Sequence, residues 1–93
     1  MSEVQDNERQ LRFELDVGGN VAIAAYRREG RQITFTHTVV PEALEGRGIG
    51  RRLIAGALEH VRAEGLKVIP VCSFVRHYFD THPEEQNLLA PSA

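Results

Sequence analysis

The chain contains one cysteine, Cys72, so neither an internal disulfide nor a cysteine-rich zinc site can form. Tryptophan is absent and aromatic residues make up 6% of the sequence. No basic run is interleaved with aromatics, which removes the stacking platform that single-stranded nucleic acid needs. Charge of one sign is not in excess either. Eleven Lys and Arg stand against thirteen Asp and Glu, for a net charge of -2. A broadly basic nucleic-acid binder is thereby excluded, although a local positive patch is not. Long hydrophobic runs are missing: the uncharged apolar stretch at residues 68–75 is far too short to span a bilayer. The opening MSEVQDNERQ is polar and acidic, without the apolar centre of a signal peptide. A reducing cytoplasm, with no membrane and no nucleic-acid partner, is the expected setting.

What is present is an ordinary globular composition. The 93 residues are 42% hydrophobic and 26% charged, which suits one small domain whose single core buries roughly 60–65% of the unfolded surface. Residues 1–10 read as a flexible N-terminus and residues 90–93 as a frayed end, leaving one domain at 11–90. Neither internal repeats nor low-complexity tracts occur, and a monomer or weak dimer is expected.

Residues 11–16 alternate Leu, Phe and Leu with Arg, Glu and Asp, the period of a half-buried strand. Gly18-Gly19 supplies a tight turn. Residues 21–27 form a second strand, with Val21, Ile23 and Ala25 on one face and Ala22, Ala24 and Tyr26 on the other. After a turn at Gly30 comes a β-branched third strand at 32–40. There strict alternation puts Ile33, Phe35, His37 and Val39 opposite Thr34, Thr36 and Thr38. Pro41 ends it for want of an N–H. A helix is predicted at about 48–64, with Ile49, Leu53, Ile54, Ala57, Leu58 and Val61 as its buried stripe and Gly65 as its left-handed terminator. Residues 67–72 form a short strand, parallel to the third because a helix connects them. A second helix follows from Ser73 to about His82, where Pro83 interrupts it, and EEQNLL adds a helical turn. The order β-β-β-α-β-α predicts an α+β fold: an antiparallel meander on a small mixed sheet, then α-β-α with a parallel crossover.

The informative passage is VVPEALEGRGIGRRL. Gly46, Gly48 and Gly50 straddle the junction between the third strand and the first helix, where each glycine costs about 0.5–1 kcal/mol relative to Ala. Two physical reasons account for such spending: tight local packing, or a ligand approaching the backbone. Helix N-termini carry unpaired N–H groups and about half a positive charge. Arg47, Arg51 and Arg52 add cations that oppose the helix dipole, and a bound phosphate or pyrophosphate would explain them. The dinucleotide fingerprint fails because Arg51 occupies its last glycine position. A Walker A loop fails because Arg51-Arg52 stand where Lys-Ser/Thr is required.

A strand, then Val39-Val40-Pro41, a short loop and Gly46-Arg47-Gly48-Ile49-Gly50-Arg51 at a helix start resemble the acyl-CoA-binding motif of GCN5-related N-acetyltransferases. The segment 68–74 and His82-Pro83-Glu84 are similar to the very short YidJ-like group of that superfamily. The resemblance implies that backbone amides around residues 46–51 (Gly46, Arg47, Gly48, Ile49, Gly50, Arg51) hold the pyrophosphate of acetyl-CoA or coenzyme A. It also implies that Val39 and Val40 pair with the pantetheine arm, and that the thioester lies in a wedge between the third strand and the strand carrying Pro70. The family opens its motif with Gln or Arg where this chain has Glu45. A carboxylate there repels a pyrophosphate unless it points away or a neighbour such as Arg47 neutralises it. Further C-terminal strands that shape the acceptor site in larger members have little room here.

Three residues are candidates for chemistry. Cys72, at the end of the fourth strand beside a helix N-terminus, is either a nucleophile near the acyl group or a small core residue. His37 is either a general base or a hydrogen-bonded core histidine. Tyr78 lies in the last helix, where larger members often carry a tyrosine that protonates the departing thiolate; the alternative is packing with an exposed hydroxyl. His60, His77 and His82 make no metal-ligand pattern, so no metal site is expected. The expectation is an N-acetyltransferase moving acetyl from acetyl-CoA to a small-molecule or protein amine; the alternative is a CoA-binding or protein-interaction module of the same fold without turnover.

Overall fold

The computed structural model describes residues 3–91. Its elements are β1 (Gln5–Asn7), β2 (Arg12–Val17), β3 (Asn20–Glu29), β4 (Gln32–Val39), a 3-10 turn (Glu42–Leu44), α1 (Ile49–Ala63), β5 (Lys67–Pro70), α2 (Ser73–Thr81) and a second 3-10 turn (Pro83–Leu88). The sheet runs in chain order, β1-β2-β3-β4-β5. Its first four strands are antiparallel, and β5 lies parallel to β4.

One side of this sheet carries the core. Phe13 pairs with Ala24, Leu15 with Ala22, Tyr26 with Phe35 and Ile33 with Val68, and all eight are buried. Paired residues project to the same side, so these eight form one apolar surface. Against it packs α1, whose predicted stripe (Ile49, Leu53, Ile54, Ala57, Leu58, Val61) is buried throughout. Each of these large side chains contributes about 1.5–3 kcal/mol through its burial. α1 ends as the sequence predicts. Gly65 has φ +68°, the Leu66 N–H donates to the Val61 carbonyl at 3.0 Å and the Gly65 N–H to the Arg62 carbonyl at 3.2 Å. This pair of bonds is a Schellman motif, and the buried Leu66 adds its usual hydrophobic contact.

The opposite side of the sheet is more open. Ile23 faces Val39 and Ala25 faces His37 across β3 and β4, with Val39 48% and Val21 36% exposed. Strict alternation along β4 does not hold. Ala25 pairs with His37 but Tyr26 with Phe35, so Thr36 is an extra residue, a β-bulge. The bulge reverses which residues face the helices. His37 and Val39 therefore do not share a side with Ile33 and Phe35. Thr38, paired with the buried Ala24, and Val40, packed on the core, turn inward instead.

The flexible N-terminus expected at residues 1–10 is corrected from Val4 onward; residues 1–2 lie outside the described residues. β1 pairs with β2 (Gln5 with Glu14, Asn7 with Arg12), and Val4 is 1% exposed. Its carbonyl accepts a bond from the His60 ring Nε2 on α1 at 2.8 Å. The Tyr26 hydroxyl donates to Asp6 at 2.5 Å; burial, with this bond and the Asp6 charge, drives that phenol well above its usual range. Polar side chains thus fasten a strand that has almost no apolar pattern. At the other end, Leu89 bridges Val68 and the Ala90 N–H donates to the Val68 carbonyl at 2.8 Å, so Ala90 is not frayed; residues 92–93 lie outside the described residues. Among the described residues no helix is long and apolar enough to cross a membrane.

Candidate functional site

The site grows out of the junction after β4. Leu44, 1% exposed, anchors the 3-10 turn in the core, and the chain then reverses through two left-handed glycines, Gly46 (φ +76°) and Gly48 (φ +70°). An L-residue is strained at such angles, which accounts for both glycines. A Cβ at Gly46 would meet nothing within 4 Å, so space there lies open above the backbone. Gly50 has a different cause. A Cβ at Gly50 would stand 2.6 Å from the Phe74 ring, so this glycine serves the contact between α1 and α2.

Gly48 is the N-cap of α1 and, being glycine, offers no side-chain cap. The first backbone bond of the helix is Arg52 N–H to the Gly48 carbonyl, at 3.1 Å. Among the described residues, none of the backbone N–H groups of residues 46–51 meets a protein acceptor at ordinary hydrogen-bond geometry. The last of these donors sit at the positive end of a 15-residue helix, where unpaired N–H groups favour negative charge.

All of residues 46–51 except Arg47 border a cavity of about 680 Å³. Gly46, Gly48, Ile49 and Arg51 form one side, Val40 marks the end of β4, and Phe74, His77, Tyr78 and His82 close it from the α2 side. Of the three arginines, Arg51 keeps a guanidinium nitrogen 3.5 Å from where a Gly48 Cβ would sit. Arg47 is exposed and off the cavity wall. Arg52 is committed elsewhere, in a two-point ion pair with Glu3. Glu45 does lie on the wall.

Tyr78 is 7% exposed and reaches the cavity. Burial, reinforced by Glu85 and Glu84 and opposed by Arg51, raises its phenol above the ordinary range. Cys72 is also 7% exposed, but it is not among the residues that line the cavity. Its Sγ is 3.4 Å from the Thr38 hydroxyl, a contact that exists because the Thr36 bulge turns Thr38 inward. Its N–H bonds the Phe35 carbonyl at 2.9 Å, two residues beyond the last β4–β5 pair, Phe35 with Pro70. The predicted strand at 67–72 thus ends as a ladder at Pro70.

His37 is exposed on the open side of the sheet, away from the cavity lining, and Val39, 48% exposed, lies outside the lining as well. The structure gathers Val40, the glycine turn, Arg51 and Tyr78 in one place and leaves His37, Val39, Arg47 and Cys72 outside the lining. Phe74, His77, Thr81 and His82 join the wall; the sequence points to Phe74 and His82 through the family resemblance, and to His77 only as a rejected metal ligand. The one signal for their placement was a second amphipathic helix following the parallel strand.

Comparison with known proteins agrees with this geometry. A family model described as GCN5-related N-acetyl-transferase matches residues 12–88. Protein NATD1 from Homo sapiens is 33% identical over 88 residues, 91% of this chain and 78% of its own length. Protein NATD1 from Gallus gallus is 32% identical over 89 residues, 92% of this chain and 81% of its own. A GCN5-like N-acetyltransferase from Staphylococcus aureus, solved in solution, superposes with a TM-score of 0.72 at 30% identity, covering 100% of this chain and 94% of that one. With strand order, glycine turn and helix start all in agreement with a match spanning most of the sequence, the chain belongs to the GCN5-related N-acetyltransferase family.

Proposed function

We propose that the cavity binds acetyl-CoA and that the protein transfers its acetyl group to an amine. The observation that carries this reading is the set of backbone N–H donors at Gly46, Gly48, Ile49, Gly50 and Arg51, which meet no protein acceptor at ordinary geometry and belong to residues lining the cavity. A pyrophosphate placed there is held by main-chain dipoles and by Arg51, as anions are at helix N-termini. The pantetheine arm then runs along the main chain of Val39 and Val40, with the apolar wall of Phe74 and Ile49 beside it. Transfer breaks the carbon–sulfur bond of the thioester and forms a carbon–nitrogen bond. The amine loses a proton and the departing sulfur gains one; Tyr78 supplies it.

His37 and Cys72 take narrower roles. From the open side of the sheet, His37 is a base for an acceptor amine arriving there. Cys72 can accept the acetyl group, its thiol proton passing to the CoA sulfur, and then yield it to the amine; otherwise it is a wall residue. Incubation with acetyl-CoA, polyamines and peptide amines, scored by free thiol release, tests the reading. Amine-dependent release is expected. A Cys72→Ala variant that still turns over, with no acetyl adduct on the wild-type chain by mass spectrometry, removes the covalent route. Glu45 on the wall and the absence of His37 and Cys72 from it favour a second reading, a CoA-binding or interaction module without turnover. That reading predicts CoA binding with no thiol release above the enzyme-free rate.

A further inference from the structure

α2 ends on a knot of side chains. The His82 ring lies flat on the Tyr78 ring, centroids 3.9 Å apart and planes within 8°. Its Nδ1 is 2.8 Å from the Tyr78 carbonyl, and a carbonyl only accepts, so Nδ1 carries the hydrogen. The Thr81 hydroxyl, 3.1 Å from the same nitrogen, bonds the His77 and Tyr78 carbonyls at 3.1 and 3.2 Å. Of the last carbonyls of α2, which lack helical donors, that of Tyr78 is met by these two side chains, and that of Phe79 by the His82 N–H and Gln86 Nε2. Both His82 and Tyr78 line the cavity. The Tyr78 ring also meets Phe79 edge-on, at 88° and 6.4 Å.

We propose that His82 is a positioning residue: stacked on Tyr78 and tied to the Tyr78 carbonyl, it fixes the phenol against the cavity so that its hydroxyl meets the reacting sulfur. This rests on the acetyltransferase reading, because only there does the hydroxyl have a proton to deliver. A stacked ring also keeps water from one face of the phenol, consistent with the burial that raises its titration. The charged groups facing Tyr78 are Arg51 from α1 and Glu84 and Glu85 from the turn after α2, and none of them is altered by changing His82.

Three variants separate stack from bond: His82→Phe keeps a flat ring, His82→Asn keeps a donor, and His82→Ala has neither. Each is made in the full chain with Tyr26→Phe. The chain has two tyrosines and no tryptophan, so ultraviolet titration in that background reads Tyr78 alone. In His82→Ala, kcat for thiol release falls by about 10-fold or more while KM for acetyl-CoA moves less than about 2-fold, and Tyr78 ionises at lower pH. His82→Phe retains most of kcat and the high titration, and keeps the test available if His82→Ala does not fold. A Tyr78 titration unchanged in every folded variant, or a kcat unchanged in His82→Ala, overturns the proposal. If the wild type binds no CoA in thermal shift, the acetyltransferase reading fails by itself, and the titration still decides whether His82 holds Tyr78.

Discussion

Glu45 places a carboxylate on the wall of the cavity that we propose receives the CoA pyrophosphate. No ion pair restrains it: among the described residues the arginine pairs are Arg12–Glu14, Arg28–Glu8, Arg28–Glu64, Arg52–Glu3 and Arg62–Glu85. Two charges separated by several ångströms near a protein surface repel by about 1 kcal/mol or more at low ionic strength. Glu45→Gln therefore tightens CoA binding by about 3- to 10-fold in dilute buffer, an advantage that shrinks with added salt as screening sets in. Calorimetric titration at two salt concentrations checks it, and equal affinities for the two proteins at low salt would show that this carboxylate points away. At this scale the glycines were legible because few residues tolerate φ near +70°. His82 was not legible: its importance comes from a stack and a carbonyl bond that exist only once α2 has formed and ended at Pro83.

The elements were read from the chain in good order because the periods are clear. β2, β3 and β4 alternate, α1 has a continuous stripe, and Gly65 terminates it. Two features escaped. β1 has the sequence QDN and is held by its ladder to β2 and by the Asp6–Tyr26 bond, neither of which has a periodic signature. The bulge at Thr36 sits in a run of alternating threonines, where one inserted residue leaves the composition of both faces plausible. The contact of α1 with α2 is also hidden in sequence, yet it gives Gly50 a different task from Gly46 and Gly48. Gly50→Ala gains about 0.5–1 kcal/mol of helix preference and pushes away the Phe74 ring, which is 41% exposed and free to move. The melting temperature stays near that of the wild type, while CoA affinity falls because the displaced ring enters the cavity. Thermal melts with and without CoA measure both; undiminished affinity would take Phe74 out of the binding wall.

At the scale of the whole molecule, one sheet face carries the core and the helices, and the cavity opens where α1, α2 and the end of β4 meet. This arrangement leaves the proposed pyrophosphate site at one end of a helix packed on the sheet, so that little conformational freedom remains to be lost on binding. The most direct test is a backbone amide NMR titration with CoA. The account predicts that the largest shifts fall on residues 46–51, with smaller ones at Val39 and Val40. In Gly48→Glu, which costs about 1–2 kcal/mol from the left-handed backbone alone but should still fold, those shifts vanish. Shifts concentrated elsewhere in wild type, none at millimolar CoA, or an unaltered response in folded Gly48→Glu would contradict it.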